Sequence, residues 1–288
     1  MKFAFIEVEA ECAEFSVTEW CRVLRVSRAG YYAWKARPES ARAREDRRLS
    51  VLVAESHFEQ RRAGSVPVFK ELKANGISVS RKRVIRLMQQ QGLRGQQRRH
   101  FVVTTHSDGR ATAPNLLARD FTAVGPNQRW VGDVTALRTP SGFLYLAAII
   151  DLFSRAVVGW AVSAVNDTRL ALAALEEATK RRGTCRGLVH HTDQGSPYTS
   201  SEYQKALTNR GIVCSLSRRG NCYDNAVAES WFGKLKVELG ESFASHADAK
   251  AKLFDYIEVF FNQRRRHSSL GFISPAEFER RHQLREVA

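Results

Sequence analysis

The spacing of apolar residues changes near residue 125. Ahead of it the rhythm is helical; beyond it short apolar runs alternate with turns. Residues 15–36, FSVTEWCRVLRVSRAGYYAWKA, predict two short helices with a tight joint, the first opened by Val17 or Thr18 and the second capped by Ser27. This is the size of a helix-turn-helix. The charged stretch PESARAREDRR follows, either as a linker or as the start of the next helix. Further helices are predicted over 46–60 and 66–74, the latter ended by Asn75 and Gly76. Ser80 then caps RKRVIRLMQQQG, which places Val84, Leu87, Met88 and Gln91 on one side and turns Lys82, Arg83 and Arg86 outward. That pattern predicts a second helix-turn-helix, with those three cations as candidate DNA contacts in a major groove. Residues 98–120 keep no period and read as a linker.

After residue 125 three apolar runs follow in quick succession: RWVGDVTAL (129–137), FLYLAAII and AVVGWAVS (156–163). They predict an antiparallel meander in the centre of a sheet. A helix over 167–182, a strand at GLVHH (187–191), a helix from about Ser200 to Asn209 and a strand at IVCSL (212–216) continue the series. The next helix lies in SRRGNCYDNAVAESWFGKLKVEL, with Asp224 as its expected N-cap. Val227, Trp231, Leu235 and Leu239 form its apolar stripe, while Ala226, Glu229, Gly233 and Lys236 align on another face. The predicted class is α/β, a mixed five-stranded sheet with flanking helices behind an all-α region. The expected divisions are 1–100 (helix-turn-helix region), 101–124 (linker), 125–245 (core) and 246–288 (helical extension).

Charge sharpens this picture. The 288 residues carry 45 Lys and Arg against 30 Asp and Glu, a net charge of +15, heaviest in the first 120 residues. Such an excess points to a polyanionic partner, most often nucleic acid. The longest apolar run is far too short to span a bilayer, so a soluble intracellular protein without a membrane partner is expected. Five cysteines without CxxC spacing indicate neither a disulfide framework nor a zinc knuckle.

Three acids stand out. Asp133 interrupts an apolar strand, Asp193 follows the fourth strand in HHTDQGSPYTS, and Glu229 comes 36 positions later on the last helix face. If strands one and four are neighbours, the three meet. Two carboxylates about 4 Å apart repel by about 4 kcal/mol at an effective dielectric near 20. A structural role gives no reason to bear that cost, whereas divalent cations reverse it. Oxygen-only ligands favour Mg²⁺ or Mn²⁺, and a pair of such ions suits in-line phosphoryl displacement. Lys236, two turns past Glu229, is placed to meet a phosphate.

These residues resemble the second-frame product, OrfB, of bacterial insertion-sequence transposases of the IS-three group. The resemblance is carried by WVGDVTALRTPSGFLYLAAIIDLFSRAVVGWAVS, HHTDQGSPYTSSEYQKAL, SRRGNCYDNAVAESWFGKLKVEL and FFNQRRRHSSLGFISPAEF. It implies an RNase H-like, retroviral-integrase-like core and a catalytic, metal-holding triad of Asp133, Asp193 and Glu229, with Lys236 as the trailing basic residue. It further implies Mg²⁺-dependent strand cleavage at the ends of a mobile element, then attack of the freed 3′-hydroxyl on another phosphodiester. A homo-oligomer on DNA, an upstream-frame OrfA partner or frameshift fusion, and a cytoplasmic, nucleoid-associated location go with that assignment. The chain departs from the family pattern at Gly132, where Thr is common, at Ala136, where Tyr is common, and at Val66 and Pro67, where Tyr and Arg are usual. The rival functions are a DNA-binding regulator, inactive unless fused to the upstream frame, and an RNA-directed nuclease of the same fold.

Secondary candidates remain. Arg218 and Arg219, in the loop before the last helix, are expected at the DNA backbone. Asp151 is expected in a turn or paired with Arg155. His191 could orient a ligand, touch phosphate or be structural, with His190 a weaker candidate. Asn262, Arg265 and His267 either pack the C-terminal segment or hold DNA.

Overall fold

The computed structural model describes residues 2–11, 15–96, 113–183, 185–218, 222–240 and 243–287. The chain divides into two compact units, 1–53 and 54–288. In the first, α1 (Lys2–Glu11), α2 (Val17–Val23) and α3 (Arg28–Lys35) close around Ile6, Cys21 and Tyr31. The sequence pattern did not reveal α1, which lacks a sustained amphipathic repeat. Val17 opens α2 as expected, with Ser16 before it as the cap: the Ser16 hydroxyl accepts from the Glu19 N–H at 3.3 Å, and the Glu19 carboxylate accepts from the Ser16 N–H at 2.7 Å. Ser27 caps α3 as expected, accepting from Gly30 at 3.0 Å.

The division between units falls within α4 (Ala41–Glu59), so the charged stretch begins a helix. In the second unit, α5 (Ser65–Ala74) packs on α6 (Arg81–Gln90) through Val68, Leu72, Val84, Leu87 and Met88. Gln91, expected on that apolar side, is instead the exposed C-cap.

The sheet is built from β1 (Arg129–Thr139), β2 (Gly142–Asp151), β3 (Val157–Ser163), β4 (Val189–Thr192) and β5 (Val213–Leu216), in the order β3-β2-β1-β4-β5. The first three strands form the antiparallel meander, but β1 is central and β3 is an edge. β4 and β5 add in parallel beyond β1. One face carries α7 (Thr168–Arg182), α8 (Ser196–Thr199) and α9 (Ser201–Asn209), packed through Leu170, Leu175, Tyr198 and Tyr203. Gly159 lets α7 approach β3, because a Cβ there would stand 2.3 Å from the Ala174 carbonyl oxygen.

The opposite face receives α10 (Ala226–Leu239), which buries Ala228, Trp231, Phe232 and Leu235. Behind it lie α11 (His246–Phe254), a π-helical turn (Asp255–Phe261) and α12 (Pro275–Val287). The C-terminal candidates serve packing. Asn262 both donates to and accepts from the Val157 backbone at 2.9 Å, pinning the edge strand. Arg265 holds Glu238 on α10 through Nε at 2.8 and 3.0 Å, and His267 is buried against Phe261. Asp151 accepts from the Asn127 and Phe153 N–H groups, both at 2.7 Å, and from the Trp130 indole. Arg155 donates its side chain to the Phe121 carbonyl, so Asp151 has the turn role.

Candidate active site

β1 and β4 run in parallel, with Val131 opposite His191. Two residues further along each chain stand Asp133 and, just past the end of β4, Asp193, near enough for its charge to act on Asp133. Each carboxyl is fixed through one oxygen: Asp133 accepts from the Val134 N–H at 2.7 Å, and Asp193 accepts from the Gly195 N–H at 3.0 Å. A Cβ at Gly195 would stand 3.0 Å from the Asp193 oxygen, so a larger residue there would crowd that carboxylate.

The helix α10 crosses β1 and contributes Glu229 from its first turn and Lys236 from its last. Burial pushes the Asp133 carboxyl well above the usual carboxylate range, and the Asp193 and Glu229 charges push it further. The Val134 N–H and Lys236 work the other way. Asp193 is likewise raised by burial. All four charged groups are half-buried. Among the described residues, no three His, Cys, Asp or Glu side chains are drawn together as a metal-binding group.

The ionised form of Asp133 is therefore unfavourable in the fold. A carboxyl raised above its unfolded value opposes folding at neutral pH, and this opposition fades as pH falls toward about 4. Asp133→Asn is expected to unfold later than the parent at pH 7 without divalent ions. Thermal melts across pH check this: the gain should shrink on acidification, and no gain at pH 7 would contradict it.

His190 and His191 are structural. His191 bonds Ser215 at 2.8 Å and Ser217 at 3.0 Å, while His190 bonds the Tyr203 hydroxyl at 2.8 Å. Burial lowers them to about 4 and about 3, so both imidazoles are neutral. His190 also explains Gly132: a Cβ at Gly132 would stand 2.8 Å from the imidazole Cε1.

The side chains expected at DNA differ in exposure and pairing. Lys82 is exposed, but Arg83 and Arg86 are half-buried rather than outward. Arg219 lies outside the described residues. Arg218 is engaged by Asp224, which is not the N-cap of α10. Asp224 is fully buried within the 3₁₀ turn Cys222–Asn225 and accepts from the Arg218 N–H at 3.0 Å and from its guanidinium at 2.9 Å twice. Asn115 and Arg119 reach the same carboxylate at 2.9 and 3.2 Å. These contacts hold Asp224 far below the usual carboxylate range, the Arg218 bond being the largest cause. The next residue, Asn225, precedes α10 and donates to the Gly132 carbonyl at 3.4 Å. The start of the helix is thus tied to the backbone beside Asp133.

Family models described as integrase core domain match residues 123–222 and 229–284, and one described as HTH-like domain matches 43–101. Transposase InsF for insertion sequence IS3A of Escherichia coli (strain K12) is 44% identical over 285 residues, covering 97% of this chain and 98% of that protein. The insertion element IS600 uncharacterized 31 kDa protein of Shigella sonnei is 40% identical, with 92% and 99% covered. Among solved structures, the HTLV-2 integrase catalytic core domain in complex with magnesium (trimeric form) is similar at 19% identity and a TM-score of 0.42, covering 55% of this chain and 99% of that one. The near full-length match to the InsF transposases, with an HTH-like region ahead of an integrase core, shows that the chain belongs to the IS3 family of insertion-sequence transposases.

Proposed function

We propose that this transposase cuts DNA at the ends of its insertion sequence and joins the freed 3′ ends to target DNA, with Asp133, Asp193 and Glu229 as its catalytic acids. The observation that carries the reading is the parallel pairing of β1 with β4 and the crossing of β1 by α10, which gathers the elements that bear Asp133, Asp193, Glu229 and Lys236. Oxygen donors in a partly buried, self-repelling group suit one or two Mg²⁺ or Mn²⁺ ions. A bound cation would supply Lewis-acid stabilisation to the attacking and leaving oxygens of the phosphoryl transfer.

The protein's own part is positioning. The Val134 and Gly195 N–H groups each restrain one oxygen of an aspartate, which leaves the other oxygen for coordination. Glu229 closes the set by swinging its side chain toward Asp133 from a helix anchored through Asn225. Lys236 binds a substrate phosphate beside the acids. The enzyme works as a homo-oligomer on DNA, paired with or fused to the upstream-frame product.

A strand-transfer assay on element-end DNA, run on the chain and on a fused version, tests this. Joined products that require Mg²⁺ or Mn²⁺ are expected. DNA binding without product in both forms would favour a regulator, and preferential cutting of RNA in hybrids would favour a nuclease.

A further inference from the structure

β4 and β5 lie side by side in parallel, Val189 opposite Val213, so the turns that lead into them from α7 and α9 meet at one end of the sheet. Asp193 stands past the other end of β4. At about 3.3 Å per residue the stretch from Arg186 to Asp193 spans roughly 20 Å, so this end is remote from the acids. Between the two turns runs an open groove of about 570 Å³, lined by Thr179, Cys185, Arg186, Thr208, Asn209 and Arg210 together with turn glycines.

The lining excludes most ligands. Among the described residues that line the groove, only Cys185 is apolar and none is a carboxylate or an imidazole. A pocket for an apolar molecule is walled mainly by hydrophobic side chains, so that class does not fit. A metal cation needs anionic oxygens, imidazoles or thiolates, and burial pushes the Cys185 thiol up, which keeps it protonated. Two positive charges and no negative one remain, the setting for an anion.

Both arginines are held in place with donors to spare. The Gly187 N–H donates to the Gly211 carbonyl at 2.9 Å, which stitches the two turns together. Gly211 has a φ of 66°, and a Cβ there would stand 3.1 Å from the Arg186 Cγ, so the Arg186 stem lies across the turn into β5. Arg210 gives one N–H to the Ala206 carbonyl at 3.0 Å, as suits a cation at the end of α9, and keeps the rest of its donors. Nearby, Lys180, Arg181 and Arg182 pair with Glu176, Glu258 and Glu279. Among the described residues, Arg186 and Arg210 join no carboxylate. Thr179 and Thr208 return their hydroxyl protons to their own helices, at the Glu176 and Gln204 carbonyls, both at 3.0 Å. The groove is therefore offered two guanidiniums and the Asn209 amide, side chains of the kind that hold phosphate oxygens.

We infer that this groove binds phosphate through Arg186 and Arg210, and that the phosphate belongs to a DNA backbone well away from the bond being cut. The DNA part rests on the transposase reading above. The acids engage only the reacting phosphates, and a contact roughly 20 Å from them orients the rest of a duplex.

The test is Arg186→Gln with Arg210→Gln in the full chain, because glutamine keeps part of each stem and removes the charge. Binding to element-end duplex DNA is followed across salt concentrations without divalent ions, with melting temperature in chloride as the control for folding. Each lost phosphate contact reduces the steepness of log K against log salt by about 0.9, so the double variant should lose nearly two units. Arg186→Lys with Arg210→Lys keeps both charges and should keep the slope; the same loss with lysines would show that charge is not the cause and would overturn the inference. An unchanged slope in the folded glutamine variant overturns the DNA contact. Inorganic phosphate at matched ionic strength then separates the sources: if it stabilises the parent beyond the glutamine variant, the groove serves the free ion alone, and an equal response abolishes the site. Slope lost in the variant with no strand-transfer product from the parent upholds the groove against the transposase reading, whereas product from the parent with an unchanged slope upholds the acids alone.

Discussion

Glu229→Gln is expected to lower strand transfer on the order of 1,000-fold while leaving DNA binding and melting temperature close to those of the parent. Removal of a single group that stabilises transition-state charge costs about 100- to 1,000-fold in well-studied enzymes. Glutamine keeps the length of the side chain and loses only its negative charge, so the change strikes cation binding first. Glu229 is half-buried on the surface of α10 away from Trp231 and Leu235, and the helix does not need it for packing. Binding should, if anything, tighten slightly, because one anion fewer faces the phosphates. A parallel loss of binding or of thermal stability would mean that the residue holds the fold together.

Asp224→Ala is expected to destabilise the second unit by about 1–3 kcal/mol, the cost of leaving buried donors without their acceptor. The carboxylate is fully buried, and its loss strands the Arg218 N–H and the Asn115 amide that point at it. Asp224→Asn should be nearly as damaging, since an amide presents donors to a ring of donors. The pH dependence has a definite sign. A carboxyl held below its unfolded value contributes stability above about pH 4, lost only as pH falls through the folded value. The parent should therefore keep this contribution well into acid, and the two variants should lack it at every pH above that window. Denaturant titrations at several pH values measure it. Because Asn225, next in the chain, anchors α10 beside Asp133, folded Asp224 variants should also transfer strands more slowly than they bind DNA.

The acids were legible because a local pattern exposed them. A carboxylate among Trp130, Val131 and Val134 breaks the period of a strand, and Asp193 follows an apolar run directly. The parallel pairing of β1 with β4 then needed only the strand-helix alternation that the sequence displays. Asp224 was legible only as a polar residue before a helix, which is what an N-cap looks like. Besides Arg218 nearby, its partners Asn115 and Arg119 lie 109 and 105 residues away, and no short-range pattern encodes that meeting. The same holds for Asn262, which clamps Val157 from 105 positions further on. Helix α1 escaped because its residues do not repeat at helical spacing, and it is kept in place by burial of Ile6 and by the bond from Tyr31 to Glu7. Arg61 and Arg62, after α4, escaped for another reason: nothing in QRRAG announces two left-handed residues, with φ of 52° and 59°, and the Gln96 N–H that bonds the Arg62 carbonyl comes from a later segment.

The close fit of Gly132 against His190 bears on how this lineage can change. Two residues in contact do not mutate independently. Threonine at position 132 would require something smaller than the imidazole at 190, so any route to it is ordered: the bulky ring leaves before the branched side chain arrives.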